Sequence, residues 1–220
     1  MTAEGPFTTH VDDYDTWFDE HSAAYVSELL AVRALLPPQG QTLEIGVGTG
    51  RFAAPLGVRV GVDPSVTALA RAAKRGIRTV TGTAESLPFP DSSFDHALVI
   101  TTICFVDSPA TMFAEARRVL RPGGSIVVGF IDRFSPLGLQ YLEHQADNVF
   151  YREATFFSSD EVAELLRTAG FTITSWAQTL AGDAEITEVE PALDGTGAGA
   201  FVVVAARSPA AEPGRLPDQD

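Results

Sequence analysis

The sequence is poor in cysteine, in histidine and in positive charge: one Cys, four His, and 15 Lys+Arg against 29 Asp+Glu. A single cysteine, Cys104, excludes an intrachain disulfide and any cysteine-rich metal site, and it fits a reducing compartment. The net charge of −14 leaves no basic face of the kind that nucleic-acid binding requires, and it disfavours docking on anionic membranes. No apolar run reaches the length of a membrane span. Met1–Thr9 has neither the basic nor the apolar region of a signal peptide. What remains is 220 residues with 45% hydrophobic and 20% charged side chains, enough for one packed domain. The expectation is a soluble cytoplasmic protein with no metal site.

Short apolar runs at Gln41–Ile45, Val58–Val62, Ile77–Val80, Phe94–Ile100 and Ser125–Ile131 alternate with helical spacing at Ser65–Arg75 and Pro109–Leu120. Pro64 suits the first turn of the former helix, and Pro122-Gly123-Gly124 stops the latter. Ser158 and Glu161 form a capping box for a further helix that ends at Gly170. Phe171–Thr179 and Ala200–Ala206 read as a closing antiparallel hairpin. The pattern predicts an α/β fold, a Rossmann-like three-layer sandwich whose seven-stranded sheet is mostly parallel with an antiparallel last strand. Residues 1–36 read as a helical lid carrying Tyr14, Trp17, Phe18 and Tyr25. Residues 37–206 form the main domain, with a cap at 134–157, and 207–220 read as a disordered tail.

The sharpest motif is Leu43-Glu44-Ile45-Gly46-Val47-Gly48-Thr49-Gly50, which closes a strand. Glycines there permit tight turning and close approach of backbone to a ligand. Arg51 stands where a dinucleotide fingerprint wants its third glycine, and no Gly-Lys-Ser/Thr follows, which excludes a Walker A loop. Asp63 ends the next strand, where a carboxylate can accept from both hydroxyls of a ribose. It can equally cap the following helix. Gly82-Thr83-Ala84-Glu85-Ser86-Leu87-Pro88-Phe89 follows the third strand, where an adenine edge would lie.

In this order, with Asp91-Ser92-Ser93-Phe94-Asp95 and Glu115-Ala116-Arg117-Arg118-Val119-Leu120-Arg121-Pro122-Gly123-Gly124, these segments resemble the class I S-adenosylmethionine-dependent methyltransferases. The likeness is to the small single-domain branch that includes quinone-biosynthesis enzymes, and it spans about Tyr14 to Ala206. The resemblance implies S-adenosylmethionine as cofactor, with S-adenosylhomocysteine as product. Glu44, Gly46, Gly48 and Gly50 would frame its methionine part. Asp63 would hold the ribose, with Pro64 and Ser65 beside it. Ala84 and Glu85 would flank the adenine, and Thr101 would border the sulfonium. Many relatives carry Asp where this chain has Thr83. A non-catalytic S-adenosylmethionine-binding module is an alternative. An NAD-dependent reductase is disfavoured by the glycine spacing and by the lack of a Tyr-x-x-x-Lys pattern.

Methyl transfer from a sulfonium needs alignment and exclusion of water more than a dedicated base. Candidates for the reacting centre are Tyr14, Thr102 and His144 as catalytic groups. Tyr14, Phe18, Cys104, Phe105, Arg133 and Arg152 are candidates for acceptor contacts. Each has a plainer reading. Cys104 suits a small buried hydrophobe, Arg133 a pair with Asp132, and His144 a surface histidine. Tyr14, Trp17 and Phe18 suit the apolar face of a helix. The charge is segregated. Residues 1–30 hold seven acids and no Lys or Arg, residues 31–142 carry net +3, and residues 143–206 carry net −9. The loop Leu180–Gly199, with Asp183, Glu185, Glu188, Glu190 and Asp194, is expected to place an acidic rim at the pocket mouth. Such a rim would concentrate cations and suit a small cationic or amine-bearing acceptor; the plainer reading is a solvated, acid-rich surface. The oligomeric state is not legible in the sequence.

Overall fold

The structure, a computed structural model, describes residues 6–181 and 186–210. Three N-terminal helices, α1 (Pro6–Thr9), α2 (Val11–Glu20) and α3 (Ser22–Leu35), precede the first strand, β1 (Thr42–Ile45). Then come α4 (Ala53–Leu56), β2 (Val60–Asp63), α5 (Val66–Lys74), β3 (Arg78–Thr81), β4 (Phe94–Ile100), α6 (Pro109–Val119) and β5 (Leu120–Ile131). The chain ends with α7 (Pro136–Glu143), α8 (Ser159–Thr168), β6 (Thr172–Thr179), β7 (Leu193–Asp194) and β8 (Phe201–Arg207).

All strands form one sheet in the order β3-β2-β1-β4-β5-β8-β6-β7. β1 to β5 are parallel, and β8 inserts antiparallel between β5 and β6. Strand order reverses between β2 and β4 around β1, so the crevice at the carboxyl ends of these strands is the place for a ligand. Side chains alternate between the two faces. Ala97 and Val99 of β4 join Ile126, Val128, Val202 and Val204 beneath α6 and α8. Leu98 and Ile100 join Val127, Phe201 and Val203 beneath α3 and α5. Period-two alternation with both faces apolar requires helices on both sides, the three-layer arrangement read from the sequence.

The structure differs from that reading in four places. An eighth strand, β7, adds two residues to the edge beside Ala177 and Gln178, too short to leave a pattern. β5 begins at Leu120, before Pro122-Gly123-Gly124. Phe94 pairs with Leu120 and His96 with Ser125, so the intervening residues bulge out of register. Pro64 lies before helix α5, whose cap is Ser65, its Oγ accepting from the Ala68 amide at 3.2 Å. The tail does not start at Arg207, which completes β8; the Ser208 amide donates to the Gly124 carbonyl at 2.8 Å and the Gly123 amide to the Pro209 carbonyl at 2.9 Å. The rest of the expected tail, 211–220, lies outside the described residues. Among those residues, no helix is long and apolar enough to cross a membrane.

Candidate active site

After β1 the chain turns through Gly46 and Gly48 with φ of +74° and +51°. Only glycine adopts these angles without strain. At Gly46 there is also no room: a Cβ would fall 2.2 Å from Oγ1 of Thr102. The Gly48 amide donates to Oδ2 of Asp63 at 2.9 Å, and the Ser65 amide donates to Oδ1 at 2.8 Å. Because Ser65 caps α5, Asp63 does not serve as the cap. It instead stands across the glycine loop at the end of β2. Burial pushes its carboxyl above the usual range, against the two backbone donors.

Glu44 is 2% exposed, and its Oε2 has no hydrogen-bond partner among the described residues. Burial raises its carboxyl well above the ordinary value, and the charge of Asp63 adds to this. An unsatisfied carboxyl oxygen under the loop and a second carboxyl at the end of β2 together suit a ligand that carries both an ammonium group and a ribose. The residues present therefore fit S-adenosylmethionine.

At the end of β4, Thr101 adopts a φ of +48°, rare outside glycine, and its amide donates to the Gly129 carbonyl at 2.8 Å. Strain of this kind collects at functional sites. Thr101 lines the same cavity as Tyr14 of α2. Burial, then the charges of Glu44, Asp63 and Glu28, push the Tyr14 phenol far above its ordinary value. Tyr14 is thus a hydrogen-bonding group and not a proton acceptor. Thr102, 4% exposed, turns its hydroxyl to the Ile100 carbonyl (3.0 Å) and the Gly46 carbonyl (3.4 Å), tying β4 to the glycine loop.

These elements surround a cavity of about 280 Å³. Gly46, Gly48, Asp63, Thr101 and Thr102 line its sheet end. Its walls are aromatic: Phe7, Tyr14, Trp17 and Phe18 from the N-terminus, Phe105 after β4, and Tyr141, Phe150 and Tyr151 from the cap. The rings pack on one another, Phe7 on Phe105 at 4.7 Å and Tyr141 on Tyr151 at 4.9 Å between centroids. The carboxyl-bearing lining residues are Asp13, Glu20, Glu28 and Asp63, with no Lys, Arg or His among the described residues.

The N-terminal wall is held by ion pairs to the sheet domain. Asp15 accepts from Arg51 Nε at 2.9 Å, from Arg75 Nη2 at 2.7 Å and from the Thr49 hydroxyl at 2.8 Å. Asp19 pairs with Arg51 at 2.8 Å, and Asp12 pairs with Arg71. The excess of acid in residues 1–30 is thus partly consumed in clamping α2 onto the basic middle of the chain.

Several expected site residues lie elsewhere. His144 is exposed at the end of α7, its Nδ1 3.0 Å from the Gln140 carbonyl, and it does not line the cavity. Arg152 is also exposed, its Nε directed at the Ala146 carbonyl. Arg133 pairs with Glu161 at 3.1 Å and stacks on Phe134; Asp132 accepts from Ser159 instead. The Cys104 thiol donates to the Thr101 carbonyl, and burial pushes it up to about 12. Gly50 faces Ile77 and Ala72 under α5. Glu44, Pro64, Ala84 and Glu85 do not line the cavity either, Glu44 being buried beneath the glycine loop. Ala84 is packed in the core, and Glu85 accepts from the Asp107 amide at 2.8 Å. Within Leu180–Gly199, Glu188, Glu190 and Asp194 are not lining residues, while Asp183 and Glu185 lie outside the described residues. The acidic lining comes instead from α2 and α3. Phe7, Glu28, Tyr141, Asn148 and Phe150 line the cavity without having been singled out. Glu28 had a legible signal: it sits on the stripe Ala24, Ser27, Glu28, Ala31, Val32 that α3 buries.

A parallel sheet with a glycine loop after β1 and a buried carboxylate after β2 defines an α/β protein built around a nucleoside-bearing cofactor. Residues 43–128 match the family model described as a methyltransferase domain. An uncharacterized protein of Methanocaldococcus jannaschii is 41% identical over 200 residues, which is 91% of this chain and 97% of that protein. The demethylmenaquinone methyltransferase of Tropheryma whipplei is 32% identical over 162 residues, 62% of this chain and 68% of its own. Among solved structures, a Thermotoga maritima protein described as a SAM-dependent methyltransferase, possible histamine N-methyltransferase, superposes with a TM-score of 0.88. It is 48% identical, over 91% of this chain and 97% of the other. The chain belongs to the S-adenosylmethionine-dependent methyltransferases. It is an enzyme that uses S-adenosylmethionine and releases S-adenosylhomocysteine.

Proposed function

We propose that this enzyme methylates a small molecule through an amine nitrogen. One observation carries the reading: among the described residues the cavity is lined by carboxyl groups and aromatic rings, and by no Lys, Arg or His. Such walls attract an ammonium group electrostatically and by cation–π contact, and they repel a carboxylate or phosphate. The Thermotoga maritima relative, described as a possible histamine N-methyltransferase, points the same way.

In this reading Gly46, Gly48 and Asp63 would hold the cofactor at the sheet end of the cavity, with Glu44 beneath the glycine loop and Thr101 at the reacting end. The methyl it supplies is already activated by the sulfonium. The protein's work is then placement. Tyr14 and Thr101, which line the same cavity, form the wall beside the reacting centre, and Phe18 and Phe105 shape the acceptor's apolar face. Thr102 acts through Gly46, as a positioning residue. The aromatic cover keeps water out. The test is methyl transfer to histamine, phenethylamine and benzylamine, compared with catechol, benzyl mercaptan and benzoate. Amine turnover at least about tenfold above the others is expected. Turnover confined to the phenol, thiol or carboxylate overturns the reading.

A further inference from the structure

Glu28 lies in the middle of α3, is 5% exposed and lines the cavity. Among the described residues its carboxyl has no hydrogen bond and no ion pair. Burial alone acts on it and pushes it up to about 8. The titratable groups around it come from every neighbouring element: Tyr14 of α2, Tyr25 one turn back on α3, Tyr141 of α7 and Tyr151 of the cap, each with its phenol raised in part by the Glu28 charge. Glu44 and Asp63 lie beyond Tyr14, and Asp13 and Glu20 line the same cavity. No cation faces it among the described residues. A buried carboxyl without a partner costs folding free energy. An open cavity in front of it is where a ligand can supply that partner.

We infer that Glu28 is the acceptor-binding group of the cavity: its carboxylate receives the N–H groups of a primary or secondary amine and takes one proton from nitrogen before methyl transfer. The inference rests on the amine reading above. The protons balance as follows. Near neutral pH the free enzyme holds Glu28 mostly protonated, so binding an alkylammonium ion expels one proton to solvent. Within the bound pair one of the ammonium protons moves from nitrogen to the Glu28 oxygen, which frees the nitrogen lone pair. The N–C bond forms as the C–S bond breaks, and the electron pair of that bond stays on sulfur. The methylated ammonium ion departs and leaves Glu28 protonated as it began. The proton released at binding is the one the overall reaction must lose.

The experiment is calorimetric titration of benzylamine, benzyl alcohol and benzoate into the full chain saturated with S-adenosylhomocysteine. It is run near neutral pH in two buffers of different ionisation enthalpy, which counts protons released. Wild type is expected to bind benzylamine best, with close to one proton released. Glu28→Gln is expected to bind S-adenosylhomocysteine as wild type does, to bind benzylamine about 100-fold more weakly, and to release no proton. Glu28→Asp is expected to recover part of the affinity and the proton release. If Glu28→Gln binds benzylamine with wild-type affinity and proton release, the role of Glu28 is overturned while the amine reading stands. If wild type binds benzyl alcohol or benzoate but not benzylamine, both fall.

Discussion

Two glycines two residues apart illustrate how differently one residue type can be used. Gly46 needs both a left-handed φ and empty space, since a Cβ there would overlap the Thr102 side chain. Gly48 needs only the φ, since the nearest atom to a Cβ there would be on the Tyr14 ring at 3.9 Å. In urea denaturation, Gly46→Ala is therefore expected to cost about 3 kcal/mol and Gly48→Ala about 1 kcal/mol. Asp63 joins the glycine loop to the start of α5 through its two oxygens. Asp63→Ala is expected to weaken S-adenosylhomocysteine binding about 100-fold in calorimetry. Cys104 shows a sequence alternative resolved by its surroundings, half-buried with its thiol donating to the Thr101 carbonyl. With its thiol pushed up to about 12, it is not a nucleophile near neutrality. A chromogenic disulfide reagent should leave it untouched in the native protein and label it on unfolding.

Among the elements, α2 carries three rings of the aromatic wall, Tyr14, Trp17 and Phe18, and a charge network places it. Burial opposes ionisation of Asp15, but hydrogen bonds from Arg75, Arg51 and Thr49 prevail and hold its carboxyl below the usual range. A carboxyl lowered on folding contributes stability that is present above its unfolded value and lost as pH falls through the folded one. α2 should thus loosen in acid, at or below about pH 4. At neutral pH, Asp15→Asn is expected to speed amide exchange in α2 by about tenfold. The same change should weaken cofactor binding, because Tyr14 rides on that helix. The capping box on α8 was legible because Ser158 and Glu161 lie three residues apart. The clamp on α2 was not, because Asp15 and its arginines are separated by 36 and 60 positions.

For the whole molecule, the buried carboxyls dominate the pH response above the acid range. Glu28 rises from 4.5 to about 8, and Glu44 and Asp63 rise as well. A carboxyl raised on folding makes the native state bind more protons than the unfolded state between the two values. Stability then falls as pH rises through that window. The cofactor-free enzyme is expected to melt highest near about pH 5 and to lose stability steadily toward about pH 8. Glu28→Gln should flatten that decline and melt above wild type at the alkaline end, in thermal scans followed by circular dichroism. The net charge of −14 has two destinations in the fold. Part of it binds the acidic N-terminus to the basic middle of the chain, and part lines the cavity.

The layer order, the glycine loop and the carboxylate after β2 were determined by the sequence itself. They rest on local rules: period-two strands, helix caps, and a turn that admits only glycine. What faces the acceptor was decided by the tertiary structure. His144 and Arg152 had suitable chemistry but turned to backbone carbonyls of their own segments and to solvent. Glu28 stood inside an ordinary helical stripe until packing of α2, α7 and the cap closed aromatic rings around it. A side chain's partners depend on which distant segments arrive beside it. For a buried carboxyl, their failure to bring a cation is what leaves it free to bind one.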